Sequence, residues 1–308
     1  MIDPRLQTLR VLRERGTVTA TAAALHLTPS TVSQQLRQLA RDLDVPLLEQ
    51  IGRRVRLTAA GYALLRHADA MAAEAERARA ELATHRAGLA GVLRICAMPT
   101  VLVALVAPAA SRLRESHPRL SVELMQDESR HCFDLVLAGD SDIAVVLPAA
   151  GGPAPGDPRF EQHPLLDEPQ DLLVSADHPL AGRSSVALAE AAADDWISGL
   201  ERITHDLVIA SACAAAGFTP RITCRAVDFL GVAAMVEHGF GVSLISRLAY
   251  LPPEFGVKRI PLHGDPIPIR RHLTCVRRGS AEHPLIAVGL ATIRAACEER
   301  SDIMVVGP

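Results

Sequence analysis

Lysine is almost missing from this chain. Lys258 is the only one, so 31 of the 32 basic residues are arginine. No GxxxxGK[ST] phosphate loop exists, and Lys258 sits in a short, Pro-flanked, strand-like segment that is a poor setting for a Schiff base. GxSxG and HExxH are also absent. Gly239-Phe240-Gly241 fails as a dinucleotide fingerprint because Leu244 stands where the last glycine belongs. The twelve histidines are dispersed without an HxH pair. The expectation is a protein that is not an enzyme and that uses no metal and no cofactor.

Long apolar runs are lacking too. The longest, Val101 to Ala110, contains Pro108 and is about half a membrane span. Arg5, Arg10, Arg13 and Arg15 interrupt the N-terminus, which leaves no signal-peptide core. A cytoplasmic chain with no membrane partner is expected. Aromatic residues make up 3% and Trp196 is the only tryptophan, so the core must rest on Leu, Val, Ile and Ala. The six cysteines, Cys96, Cys132, Cys213, Cys224, Cys275 and Cys297, form no CxxC and no zinc-finger spacing. They read as buried small hydrophobes. Cys213 with Cys224 is the alternative, a redox pair.

What is present is an uneven charge. Residues 1–60 hold nine arginines against five acidic residues, a net +4 that leaves −7 for the rest of a chain totalling −3. A basic head on an acidic body is the electrostatic layout of a nucleic-acid binder with a separate second domain. The chain's 308 residues suit two or three domains.

The head reads as three helices. Leu6, Leu9 and Leu12 have near-helical spacing, and Gly16 ends the first helix. Thr17 caps the second, and His26-Leu27 forms a short turn. Thr28 caps the third, with Pro29 at its first position, and the helix runs to about Leu43. Two helices joined by so short a turn make a helix-turn-helix. Val32, Leu36 and Leu39 mark the inward face of the third helix. The opposite face carries Ser30, Gln34, Arg37 and Arg41, flanked by Thr31, Ser33 and Gln38, with no carboxylate until Asp42. These side chains reach base edges and phosphates.

The stretches either side of Gly52 predict a β-hairpin, with Arg53 and Arg54 at its tip as phosphate or minor-groove contacts. Residues 58–86 predict one long helix, on the order of 40 Å. Its Leu64, Ala68, Met71, Ala75, Ala78 and Leu82 follow a strict heptad. So narrow a stripe needs a second helix, and the economical partner is its own copy, a homodimer. Gly88 and Gly91 mark the boundary. Beyond it, strands and helices alternate, which predicts a mainly parallel sheet with covering helices.

These residues resemble the LysR family of transcriptional regulators. The resemblance is carried by Leu6-Gln7-Thr8-Leu9, by Gly16-Thr17-Val18-Thr19 with Ala22-Ala23-Ala24-Leu25, and by Thr28-Pro29-Ser30-Thr31-Val32-Ser33-Gln34-Gln35-Leu36. It continues through Leu43-Asp44-Val45-Pro46-Leu47-Leu48-Glu49 and Gly52-Arg53-Arg54-Val55-Arg56-Leu57-Thr58-Ala59-Ala60-Gly61. The chain departs from the family in carrying Pro29-Ser30 and Ser33-Gln34, where Gln-Pro and Ser-Arg are common. The resemblance implies an α/β protein with an N-terminal winged helix-turn-helix over residues 1–58 and a linker, or dimerisation, helix over 59–88. Residues 89–308 would form a periplasmic-binding-protein-like effector domain. One lobe would take about 91–165 and 268–300, the other about 166–267.

By the same resemblance, Thr28, Ser30, Thr31, Ser33, Gln34, Arg37, Arg53 and Arg54 would contact promoter DNA, and the chain would assemble as a homodimer and then a homotetramer. A small effector, anionic and partly apolar, would bind between the lobes. Its contacts would be Met98, Pro99 and Thr100, where the first strand meets its helix, then Ser198, Gly199 and Leu200, and a helix start at Asp228-Phe229. The alternative is a solute-binding or enzymatic two-lobe protein with a DNA-binding head that no longer functions.

Overall fold

The computed structural model describes residues 3–51, 54–85, 88–148, 152–200, 204–264 and 267–306. The chain divides into two units. The first holds Met1–Ala87 with Gly156–Glu161 and Arg277–Pro284, and the second holds Gly88–Pro155, Gln162–Val276 and Leu285–Pro308.

In the first unit, Asp3 caps α1 (Pro4–Arg15), and Gly16 closes it at φ 70°, a left-handed position suited to glycine. Thr17 caps α2 (Val18–Ala24), its side chain accepting from Ala20 N at 3.1 Å. Leu25 ends α2, and His26 turns the chain at φ 53°. Thr28 then caps α3 (Pro29–Asp42), with proline where the missing N–H has no cost. Val32, Leu36 and Leu39 of α3 join Leu6, Leu9 and Leu12 of α1 and Ala22 of α2 in one core. Each large side chain fully buried there contributes roughly 1.5–3 kcal/mol.

β1 (Leu48–Ile51) and β2 (Arg54–Leu57) pair antiparallel, with Leu48 opposite Leu57. Leu47 and Leu57 close the core beneath them. Thr58 caps the 26-residue α4 (Ala59–Thr84), accepting from Gly61 N at 3.0 Å and donating to Pro46 O at 2.6 Å. Gly61 lets α4 lie on the carbonyl of Leu47, since a Cβ there would collide with that oxygen. The predicted heptad stripe is only partly covered. Ala68 is buried and Leu64 and Ala75 are half-buried, while Met71, Ala78 and Leu82 face solvent, Leu82 at 68% exposure. The buried side chains are instead Leu65, Ala68, Asp69, Ala73 and Ala80.

In the second unit, β3 (Gly91–Ala97) lies between β4 (Leu120–Gln126) and β5 (Ile143–Val146), parallel to both. After β3, helical backbone runs without a break from α5 (Pro99–Val101) through a π-helical stretch, Leu102–Val106, into α6 (Ala107–Ser116). α7 (Ser129–Ala138) follows β4. The 16-residue β6 (Phe160–Ser175) leads to β7 (Val186–Ala187), β8 (Asp195–Gly199), α8 (Thr204–Ala215), β9 (Arg221–Ala226) and α9 (Phe229–Glu237). The chain ends with β10 (Ser243–Ser246), β11 (Val257–His263), β12 (Ile269–Arg277), α10 (Pro284–Glu298) and β13 (Met304–Val305).

The main sheet runs β4-β3-β5-β12-β6-β11-β7, with β10 and β13 also on β6, while β8 and β9 pair separately. It is mixed rather than mainly parallel. β12 returns antiparallel to β5, and both β10 and β11 are antiparallel to β6. The C-terminal part of β6 is buried on both sides: Leu172 and Val174 enter a core with Trp196 and Ile209, whereas Leu173 enters another with Ile197 and Val232.

One cysteine expectation is corrected. Cys96 on β3 and Cys132 on α7 form a disulfide, with Cα atoms 5.7 Å apart, whereas Cys213 and Cys224 are both free. The pairing is a meeting of strand and helix in space, which no sequence spacing of 36 announces. Cys213, Cys275 and Cys297 are buried small side chains, as read from the sequence.

Candidate DNA-reading face and effector cavity

The amphipathic period of α3 decides which side chains leave the first unit. Val32, Leu36 and Leu39 are buried at 0–4% exposure. Thr28, Ser30, Gln34 and Arg37 are exposed, and Thr31 and Ser33 are half-buried at the edge of the same face. The hydroxyl of Thr28 binds Ser30 Oγ at 2.7 Å and Thr31 Oγ1 at 2.8 Å, and accepts from Thr31 N at 3.1 Å, which fixes the start of the helix. Farther along, Gln38 donates to Asp42 at 2.6 Å and accepts from Arg41, and Asp42 also pairs with Arg5. The single carboxylate on this face is therefore occupied by a cation and an amide. Arg37 has no hydrogen bond or ion pair among the described residues and projects into solvent. Arg53 lies outside the described residues, as does the side chain of Arg54, whose backbone opens β2.

The second candidate site is a cavity in the second unit of about 90 Å³, partly open to solvent. Five of the eight predicted effector contacts line it: Met98, Pro99 and Thr100 at the start of α5, and Asp228 and Phe229 at the start of α9. Ser198, Gly199 and Leu200 stand outside its wall. Ser198 is buried and donates to Asp206 at 3.0 Å, the carbonyl of Gly199 accepts from Arg225 at 2.8 Å, and Leu200 is exposed. They precede α8 in the chain, and Asp206 and Arg225 hold Ser198 and Gly199 in a separate network.

The remaining lining residues are Glu128, His205, Val208, Val227 and Arg270. Sequence reasoning missed them. Arg270 belongs to an Ile-Arg-Arg-His run on β12 with no motif, and only the sheet order carries it to this place.

The wall is largely apolar, with five polar side chains, Thr100, Glu128, His205, Asp228 and Arg270. Thr100 Oγ1 is buried and has no hydrogen-bond partner. Arg270 is 7% exposed, and its Nη1 makes no hydrogen bond. The nearest acid is Glu168, at 3.8 Å. Glu168 is already engaged by His272 Nε2 at 2.9 Å, by Ser246 Oγ and by Leu248 N at 2.7 Å. Burial opposes its charge, but His272 and Arg270 outweigh that and hold its carboxyl at about 2. His205 stacks edge-on against Phe229 at 5.0 Å and hydrogen-bonds the carbonyl of Leu244 at 3.0 Å. Burial lowers its pKa to about 4, so the ring is neutral at pH 7 and is the donor in that bond.

Among the described residues, no group of three His, Cys, Asp or Glu side chains could hold a metal ion. Nor is any helix among them long and apolar enough to cross a membrane.

Two family models match the chain. "Bacterial regulatory helix-turn-helix protein, lysR family" covers residues 4–62, and "LysR substrate binding domain" covers residues 86–298. Among curated proteins, the chain is 28% identical over 280 residues to the hydrogen peroxide-inducible genes activator of Dickeya chrysanthemi, covering 89% of each. It is also 28% identical over 237 residues to the transcriptional dual regulator GltC of Bacillus subtilis, covering 76% of this chain and 77% of that one. Among solved structures, a full-length OxyR variant from Pseudomonas aeruginosa aligns with a TM-score of 0.65 at 21% identity, over 96% of this chain and 95% of that one. Full-length BenM aligns with a TM-score of 0.59 at 22% identity, over 98% and 99%.

Proposed function

The chain belongs to the LysR family of bacterial regulators, and from that premise we propose which of its residues carry each part of the work. It is a DNA-binding transcriptional regulator with an effector-binding domain. In our reading α3 enters the major groove. Ser30 and Gln34 meet base edges, Thr28, Thr31, Ser33 and Arg37 hold backbone and helix start in register, and Arg53 and Arg54 grip the adjacent groove. The observation that carries this is the division of α3. Its apolar edge is sealed in the core, and its outward face offers amide, hydroxyl and guanidinium groups with Asp42 as the only acid, already paired.

Residues 1–58 form the DNA head, 59–88 the linker and 89–308 the regulatory domain. Its lobes are about 91–165 with 268–300, and 166–267. The exposed Met71, Ala78 and Leu82 of α4 make the homodimer contact, and pairs of dimers make a tetramer. The effector is a small, partly apolar molecule with an anionic end, seated by Met98, Pro99, Thr100, Asp228 and Phe229. The protein works in the cytoplasm, catalyses no reaction, and takes promoter DNA, the effector and its own copies as partners, with no membrane.

Fluorescence anisotropy with a duplex from the protein's own upstream region tests this. Affinity should fall steeply as salt rises from about 50 to 200 mM, because phosphate contacts release counterions. A chain that ignores duplex at low salt would defeat the reading.

A further inference from the structure

The effector cavity holds charges of both signs that do not meet. Arg270 is desolvated, leaves one guanidinium nitrogen without a hydrogen bond, and faces a Glu168 already claimed by His272, Ser246 and Leu248. Thr100 Oγ1, buried and unpartnered, lines the same cavity. Together they form an anion seat whose hydrogen bonds are unmet, with Glu168 at 3.8 Å from the guanidinium as a distant ion-pair partner.

Glu128, just before α7, lines the cavity as well. Its carboxylate has no hydrogen bond or ion pair among the described residues, although Arg270 is near enough to act on it electrostatically. Asp228 adds a second carboxylate, of which one oxygen caps Gly231 N at 2.8 Å. His205 is neutral and adds no charge. Two carboxylates against one guanidinium give the cavity a net negative lining. A simple anion would satisfy Arg270 but would meet repulsion from Glu128 and Asp228. A ligand carrying both a carboxylate and an ammonium would satisfy each wall.

We propose that the effector is a small amino acid or amino-acid-like zwitterion with an apolar side chain. Its carboxylate sits on Arg270 and Thr100, its ammonium faces Glu128, and its side chain packs on Met98, Val208 and Phe229. This rests on the effector reading above and narrows it, because the anionic end is joined by a cationic one.

Isothermal titration calorimetry on the full chain tests the point. The probes are L-leucine, L-methionine and L-phenylalanine, each beside its deaminated acid (4-methylpentanoate, 4-(methylthio)butanoate, 3-phenylpropanoate) and its decarboxylated amine. At least one amino acid should bind about fivefold or more tighter than both its partners, as a partly exposed ion pair allows. Glu128→Gln should erase that advantage while leaving the deaminated acid's affinity equal or improved. Retained Trp196 fluorescence would show that the variant is folded. If a deaminated acid binds as tightly as its amino acid, the zwitterion inference is wrong and the anionic, partly apolar effector stands. If neither acids nor amino acids bind at millimolar concentration, both readings fall.

Discussion

Arg10 Nε donates to Asp69 Oδ1 over 2.7 Å, tying the first helix to the middle of α4. The Asp69 side chain is 3% exposed and Arg13 stands 3.8 Å from its other oxygen, so this carboxylate is held between two guanidinium groups. A buried pair stabilises little over an apolar substitute, but breaking one strands a charge. Asp69→Ala should therefore cost about 3 kcal/mol in the first unit. Far-UV circular dichroism in a urea titration measures it. Trp196 fluorescence does not serve, because that tryptophan lies in the other unit. A loss below about 0.5 kcal/mol would show the pair to be incidental.

On α4, Met71 and Leu82 sit exposed on the heptad stripe, 43% and 68% accessible. Met71→Glu with Leu82→Glu should leave the helix folded and place like charges across the dimer contact. Sedimentation at micromolar concentration should then show monomer where the unaltered chain shows dimer or tetramer. An unchanged assembly would put the self-association surface elsewhere.

The pH dependence of His205 has a definite sign. Its folded pKa of about 4 lies below the ordinary 6.5. The unfolded chain thus takes up this proton first as pH falls, and the stability from the neutral ring is present above 6.5 and lost between 6.5 and 4. Since the side chain is only half-buried, the loss at pH 5.5 is taken as about 1 kcal/mol, below the full 1.4. Denaturation followed by Trp196 should show the unaltered chain losing about that much more than His205→Gln between pH 7 and 5.5. Equal losses would mean that the ring is not desolvated.

The helical head was legible because its signals are local. Thr17, Thr28 and Thr58 cap where hydroxyls ahead of helical periods predict, and Val32, Leu36 and Leu39 turn inward as their spacing requires. The second unit was legible only in part. Leu172 to Ser175 reads from the sequence as a strand, yet β6 begins at Phe160, because the mostly polar, Pro-containing stretch Glu161 to Gln170 hides its pairing from any hydrophobic pattern. Met98 to Thr100 and Asp228-Phe229 were found at helix starts, which carry a local signature. Arg270 and Glu128 were not found, since they are brought to the cavity by long-range sheet order. Cys96 and Cys132 escaped for the same reason.

The outward face of α3 is the centre of the account, and a selection of preferred duplexes with Gln34→Ala and Arg37→Ala examines it most directly. Gln34→Ala should relax preference at one base position by about 1–3 kcal/mol. Arg37→Ala should keep the preferred sequence, weaken all duplexes alike, and reduce the salt slope by about one. If both variants select the same sequences as the unaltered chain with the same affinity and salt slope, α3 does not read DNA.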